Sequence, residues 1–372
     1  EKRQRERERE REGERQDTFN MGMDAMLIGP LFPDRSIPIA IRPNRAKGTP
    51  PTKEFLLQWI GQHREEIMDI FHEAGALLLR GFEVFEPQDF EDVALALDPH
   101  LGCQYLGTSP RTPVTKYTFT ASELPRFFPI PQHLEMSFLR NNRPEHLFFF
   151  CQREPETGGE TPLTDCSAVW RDLDPALREK FRSKGVTYIR NYCGPQDWKW
   201  DPWMLKRWPE IFETRDKSVV EELCKMDDIE VEWRKNDALR LRNSCSAFIQ
   251  HHSGKEVWCN HSLVFHPSQA AGEYKRIAQH TKKWWHFFLT FILYLVLVLR
   301  KLVQKEESQG MNCLFGDGQT ISYSEMEQVR EAVWKNSVFF PYQRGDVTMI
   351  DNTLVRVWRA DSAPCPPHPL PS

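Results

Sequence analysis

Pro131-Gln-His-Leu-Glu-Met-Ser137 is the stretch on which the reading of this chain turns. In an extended segment residues i and i+2 share a face, so His133 and Glu135 would place an imidazole and a carboxylate side by side. Such a pair can hold one cation. Two histidines and a carboxylate on one face of Fe(II) leave three positions open for a co-substrate and O2, so the pattern asks for one more histidine elsewhere. Alone it is a weak signal: with 12 His in the chain, about one His-x-Glu is expected by chance. A second copy exists at His63-Arg64-Glu65. It lies in a segment of helical periodicity, where i and i+2 diverge, and reads as surface or ordinary packing.

Upstream of the quoted stretch the periodicity is helical. Thr52 is positioned to cap a helix whose apolar residues fall at Leu56, Ile60, Ile67, Ile70, Phe71 and Ala74, and Gly75 supplies the stop. A short apolar strand, Ala76 to Leu79, follows, then Arg80 and a turn at Gly81. Pro87 opens a second helix running towards Leu97. From about Tyr105 the texture changes to short β-rich pieces bounded by Gly, Pro or Asp: 147–151, 161–164, 186–192, 257–260 and 346–350. One helix interrupts them, with Asp174 as cap, Pro175 at its first position and Gly185 beyond its end. Many short strands with a few helices predict an α+β, mainly β chain built as a sandwich or barrel with helical decoration.

Composition sets the outer limits. Of 372 residues 40% are apolar, with 12 Trp and 24 Phe, ample for one large core. A net charge of -4, from 49 basic and 53 acidic residues, gives no electrostatic argument for nucleic acid. The nine Cys are scattered and form no Cys-x-x-Cys, which suits reduced thiols in a cytoplasmic compartment. Residues 1–26 begin with interleaved Glu, Arg, Lys and Gln and lack the apolar core of a secretory signal. They read as a charged, disordered tail.

Four further motifs follow the same order as those of a known family. Gly158-Gly-Glu-Thr-Pro-Leu-Thr-Asp165, Ser253-Gly-Lys-Glu-Val-Trp-Cys-Asn260 and Gly345-Asp-Val-Thr-Met-Ile-Asp-Asn352 accompany the His133/Glu135 stretch, and Gly75-Ala-Leu-Leu-Leu-Arg-Gly-Phe82 precedes it. Together they resemble the TauD/TfdA-like Fe(II)- and 2-oxoglutarate-dependent oxygenases. The resemblance implies a double-stranded β-helix (jelly-roll) with flanking helices over 27–362. It implies Fe(II) as metal, held by His133 and Glu135, with 2-oxoglutarate as co-substrate contacted by Thr161. The partners would be a small-molecule substrate and O2. Oxidative decarboxylation of the keto acid to succinate and CO2 would accompany substrate hydroxylation.

Two features depart from that family. After Asp-Asn the family places a histidine and then arginines that pair with the keto acid's distal carboxylate. Here the histidine position is Val357, and Arg359 is the last arginine available as carboxylate partner. His251, His252, His261, His266 and His368 are the histidines left to complete the triad. The Pro-rich tail, 363–372, follows. The second departure is the segment 281–309, whose stretch Trp284 to Leu299 is apolar but for His286 and Thr290 and has basic flanks. It falls just short of the roughly 18–20 residues that span a bilayer. Two rival expectations therefore stand beside the oxygenase: a catalytically inactive binding protein of the same fold, and a membrane-anchored protein using 284–299.

Overall fold

The computed structural model describes residues 22–359 apart from 103–110, 122–129, 142, 157–159, 197–206 and 305–307; the segments expected at 1–21 and 360–372, and His368 with them, lie outside the described residues. The chain opens with the hairpin β1 (Met26–Pro30) and β2 (Ile39–Pro43), then α1 (Lys53–Ala74), β3 (Ala76–Leu79), α2 (Pro87–Leu97), β4 (Ile130–His133), β5 (His146–Phe150) and β6 (Leu163–Asp165). Next come α3 (Cys166–Asp172), α4 (Pro175–Lys184), β7 (Val186–Tyr192), α5 (Trp208–Ile211), α6 (Lys217–Met226), β8 (Glu230–Trp233), β9 (Leu239–Cys245), β10 (Phe248–Gln250) and β11 (Glu256–Trp258). The last part holds α7 (Ser262–Phe265), α8 (Gln269–Thr281), α9 (Trp284–Val303), β12 (Met311–Phe315), α10 (Tyr323–Lys335), β13 (Ser337–Val338), β14 (Val347–Asp351) and β15 (Val355–Arg359).

Three larger sheets carry the fold. Their strand orders are β1-β2-β3-β14-β5, β13-β6-β15-β4 and β12-β7-β9-β8, with β10-β11 as a separate hairpin. Alternation along β3 shows how two of them are packed. Leu77 and Leu79 face α1 and α2, meeting Leu56, Trp59, Phe71, Val347 and Met349. Ala76 and Leu78 face the other way and share a core with Leu134, Leu163, Val355 and Val357 of the second sheet. The first sheet is thus sandwiched between helices and the sheet that carries His133. Arg80, just past β3, locks this arrangement. Its guanidinium is buried and forks onto Asp346, with Nε to Oδ1 at 3.0 Å and Nη2 to Oδ2 at 2.6 Å.

The expected helices at 53–74, 87–97 and 175–184 are present with the expected caps. Thr52 Oγ1 accepts the Phe55 N–H at 3.3 Å, and Asp174 accepts from Ala176 and Leu177. Gly75 sits at φ +82, and a Cβ there would come within 2.9 Å of Leu354 Cβ. Both backbone and space therefore require glycine. The balance of the fold differs from the mainly β expectation: it is a mixture of helix and sheet. Residues 166–172, 217–226, 269–281 and 323–335 are helices within the stretch read as short β pieces. Their apolar spacing was masked by the brevity of the neighbouring strands.

Helix α9 lies on α8 with only His286 and Thr290 buried, while Trp284 and Phe291 are 77% and 64% exposed. The strands that follow α9 return to partners that precede it: β12 to β7, β14 to β3 and β5, and β15 to β4 and β6. A bilayer crossing at 284–299 would part strands that share hydrogen bonds. Membrane spanning through that segment is incompatible with this fold.

Candidate metal and co-substrate site

β4 ends at His133, and Leu134-Glu135 continue as irregular chain. The two side chains nevertheless converge as strand alternation predicts: His133 Nε2 is 3.6 Å from Glu135 Oε2. The other ring nitrogen, Nδ1, lies 2.9 Å from the Pro131 carbonyl. A carbonyl oxygen only accepts, so Nδ1 is a donor and Nε2 is the ring nitrogen that faces the carboxylate. Glu135 is fixed through its backbone by Asn352. The Asn352 side chain accepts the Glu135 N–H at 2.7 Å and donates to the Glu135 carbonyl at 2.8 Å.

The carboxylate is charged. Burial alone would raise its pKa, but the His133 imidazole and the Arg111 guanidinium outweigh burial and hold it below the ordinary value. Arg111 Nη2 stands 3.6 Å from Glu135 Oε2. Both His133 and Glu135 keep part of their side chains open to solvent, so the pair sits at a mouth rather than in a sealed core.

The third position is occupied by hydrocarbon. Val357 of β15 is the direct register partner of His133 on β4 and of Leu163 on β6. Directly opposed residues project from the same face, so Val357, a buried valine, stands on the face of His133. Its neighbour Arg356 points the other way, fully buried, and donates to the carbonyls of Gln132 and Asn260. The Arg359 side chain lies outside the described residues.

The remaining histidines are placed as follows. His261 is near, its ring centroid 5.6 Å from that of His133, but it is fully buried, with Nδ1 3.0 Å from Ser137 Oγ. Burial first, then the charges of His133 and Arg356, push its pKa well below the usual value, so the ring is neutral. His266 has both nitrogens engaged, by Ser268 Oγ and the Ile321 carbonyl. His251 and His252 belong to a separate cluster with Asp351. His63 lies at a kink within α1 and pairs with Glu66 at 3.5 Å, away from any such cluster. Thr161 is half-buried and precedes β6, which begins at Leu163 rather than at 161 as expected.

For Fe(II), the residues present fit two of the three protein positions of a facial triad: a correctly turned imidazole and an ionised carboxylate, with no third donor at Val357. Sequence reading missed Arg111 and Asn352. The Asp-Asn pair was visible as a motif, whereas Arg111 stands outside every motif and only the folded chain brings it to Glu135.

The chain is 30% identical over 294 residues to the dapdiamide synthesis protein DdaC of Enterobacter agglomerans, covering 78% of this chain and 79% of that one. It is 28% identical over 335 residues to a clavaminate synthase-like protein of Arabidopsis thaliana, covering 87% and 89%. Among solved structures it is similar to PvcB of Pseudomonas aeruginosa, with 12% identity, a TM-score of 0.47 and coverage of 91% and 87%. Residues 48–356 match the family described as "Taurine catabolism dioxygenase TauD, TfdA family". The chain belongs to this TauD/TfdA family of dioxygenases, whose chemistry uses Fe(II) and 2-oxoglutarate.

Proposed function

We propose that this protein oxidises a small-molecule substrate with O2 at the mouth formed by His133, Glu135, Arg111 and Thr161, within a double-stranded β-helix spanning about 27–362. The segment 281–309 is then an insertion that leaves the sheets intact, and 363–372 and the part of 1–26 that precedes Met23 are appendages to the domain, whereas Ala25 and Met26 are buried in its core. The observation that carries this reading is the convergence of His133 Nε2 and the ionised Glu135 carboxylate, 3.6 Å apart. When bound, Fe(II) with 2-oxoglutarate supplies the oxidising power, consuming O2 and giving succinate and CO2.

The chain's own residues have narrower tasks. Pro131 fixes the His133 tautomer through its carbonyl. Asn352 holds the Glu135 backbone so that the carboxylate cannot swing out of the mouth. Arg111 keeps Glu135 ionised and is placed to receive an anionic group of a bound molecule. Thr161 offers its hydroxyl to the co-substrate. The seven described cysteines are all free thiols, which supports a reducing, cytoplasmic setting.

Val357 favours a second reading, an oxygenase-fold protein that binds a ligand without turning it over. Anaerobic titration with Fe(II) and 2-oxoglutarate, followed by O2, separates the two. A metal-to-ligand charge-transfer band that decays with succinate formation supports the enzyme. No band at millimolar Fe(II) supports the binding protein.

A further inference from the structure

The loop joining β10 to β11 carries two adjacent histidines, and the end of β14 meets them. His251 is buried, with Nδ1 2.7 Å from Ser253 Oγ and Nε2 3.0 Å from Asp351 Oδ2. Asp351 cannot turn away, because its other oxygen accepts the N–H groups of Thr353 and Leu354 at 2.7 and 3.2 Å. His252 is exposed and stacks obliquely on His251, ring centroids 3.8 Å apart. One donor atom from each of the three lies within 4.8 Å of the others. Neither His133 nor Glu135 belongs to this group.

We propose that His251, His252 and Asp351 form a second metal site, selective for a first-row divalent cation of the zinc, nickel or copper type. Two imidazole nitrogens and one carboxylate are the donors such ions prefer, while Mg2+ and Ca2+ want oxygen alone. The spacing is suited to it. Tetrahedral donors, each about 2.1 Å from one cation, stand about 3.4 Å apart, so the 3.0 Å hydrogen bond between His251 Nε2 and Asp351 Oδ2 needs only a small opening to admit one. His251 Nδ1 accepts the Ser253 backbone N–H at 3.2 Å, so Nε2 is the nitrogen that bears the proton towards Asp351, and a cation would replace that proton between the two.

The surroundings are mixed but open. His72, in the last turn of α1, meets His252 edge-on at 5.1 Å. Lys255 opposes a cation, yet its ammonium is held by the Glu73 carbonyl at 2.8 Å, at the negative end of α1. Occupancy would brace the turn that holds the first site, since Asn352, next to Asp351, carries both backbone bonds to Glu135.

The test uses untagged full-length protein stripped of metal and titrated with Co2+ or Zn2+, read by calorimetry and by the visible bands of Co2+. His252→Ala removes an exposed ligand and leaves the fold intact by circular dichroism; affinity should fall at least tenfold. His133→Ala should remove only binding at the first site and leave unchanged the binding step that His252→Ala weakens. Equal binding by wild type and His252→Ala would overturn the proposal, as would loss of all Co2+ binding in His133→Ala. Loss of the 2-oxoglutarate charge-transfer band in His133→Ala reports on the oxygenase site alone, so failure of one reading is distinguishable from failure of the other.

Discussion

Replacing Val357 with histidine should convert a two-donor mouth into a three-donor one. Val357 is the register partner of His133, and opposed residues in an antiparallel pair have Cβ atoms about 4.5–5.5 Å apart on one face. An imidazole at 357 therefore reaches a cation set before His133 Nε2 and Glu135 Oε2. Two effects of opposite sign follow. Without metal, the variant buries a polar ring where the wild type has hydrocarbon, at a cost of roughly 1–3 kcal/mol. With metal, the added donor should tighten binding at least tenfold, about 1.4 kcal/mol. A cation at 100 times its Kd stabilises the fold by about 2.7 kcal/mol. In melting temperature each kcal/mol is worth about 2–4 °C for a domain of 150–250 residues, and somewhat less here. The assay is thermal unfolding with and without Mn2+, which is redox-inert, alongside Fe(II) titration under argon. Val357→His should melt below the wild type when metal-free and gain more from added Mn2+. A folded variant whose metal affinity stays within twofold of wild type would refute the placement of residue 357 before the His133/Glu135 pair.

Other outcomes follow from single contacts. His133→Ala should abolish the Fe(II)-dependent charge-transfer band, whereas His63→Ala, paired with Glu66 on α1, should leave it unchanged. Arg80→Ala strands the buried Asp346 carboxylate and should cost about 3–5 kcal/mol in urea unfolding. Burial pushes His266 down to about 3 from 6.5. The unfolded chain thus binds the extra proton first, so stability present above pH 6.5 is lost as pH falls towards 3. The acid-side slope of unfolding free energy should flatten in His266→Gln. Phe291→Lys with Leu295→Lys on the exposed face of α9 should change stability by no more than about 0.5 kcal/mol each and reduce self-association measured by light scattering.

How much of this was legible beforehand depends on range. Local signals were reliable: Thr52 and Gly75 bracket α1, and Asp174-Pro175 opens α4, because caps and stops are set by a few adjacent residues. The His133/Glu135 pairing was legible because it needs only two residues of extended chain. What the sequence could not display was who sits opposite whom. The strand at 355–359 was read only as a motif, yet the β15–β4 register turns Val357 from a missing letter into a known vacancy of donor atoms beside His133. Arg111 and the His251–Asp351 contact are products of tertiary closure, joining residues far apart in the chain. The helices at 217–226 and 323–335 were overlooked although Val220 and Cys224, and Met326, Val329 and Val333, recur at helical spacing on their buried faces.

The sheet order has a consequence for synthesis of the protein. β14 is the inner strand between β3 and β5, and β15 lies between β6 and β4. Both come from the last part of the described chain and complete partners made more than 180 residues earlier, as in Val347 with Leu79 and Val357 with Leu163. Neither sheet can close until these strands have left the ribosome, so closure is late and slow, as for any topology of high contact order. Until then β3, β5, β6 and β4 offer unpaired edges. A nascent chain stalled before Val347 should depend on chaperones, and a product cut there should be insoluble rather than a smaller working domain.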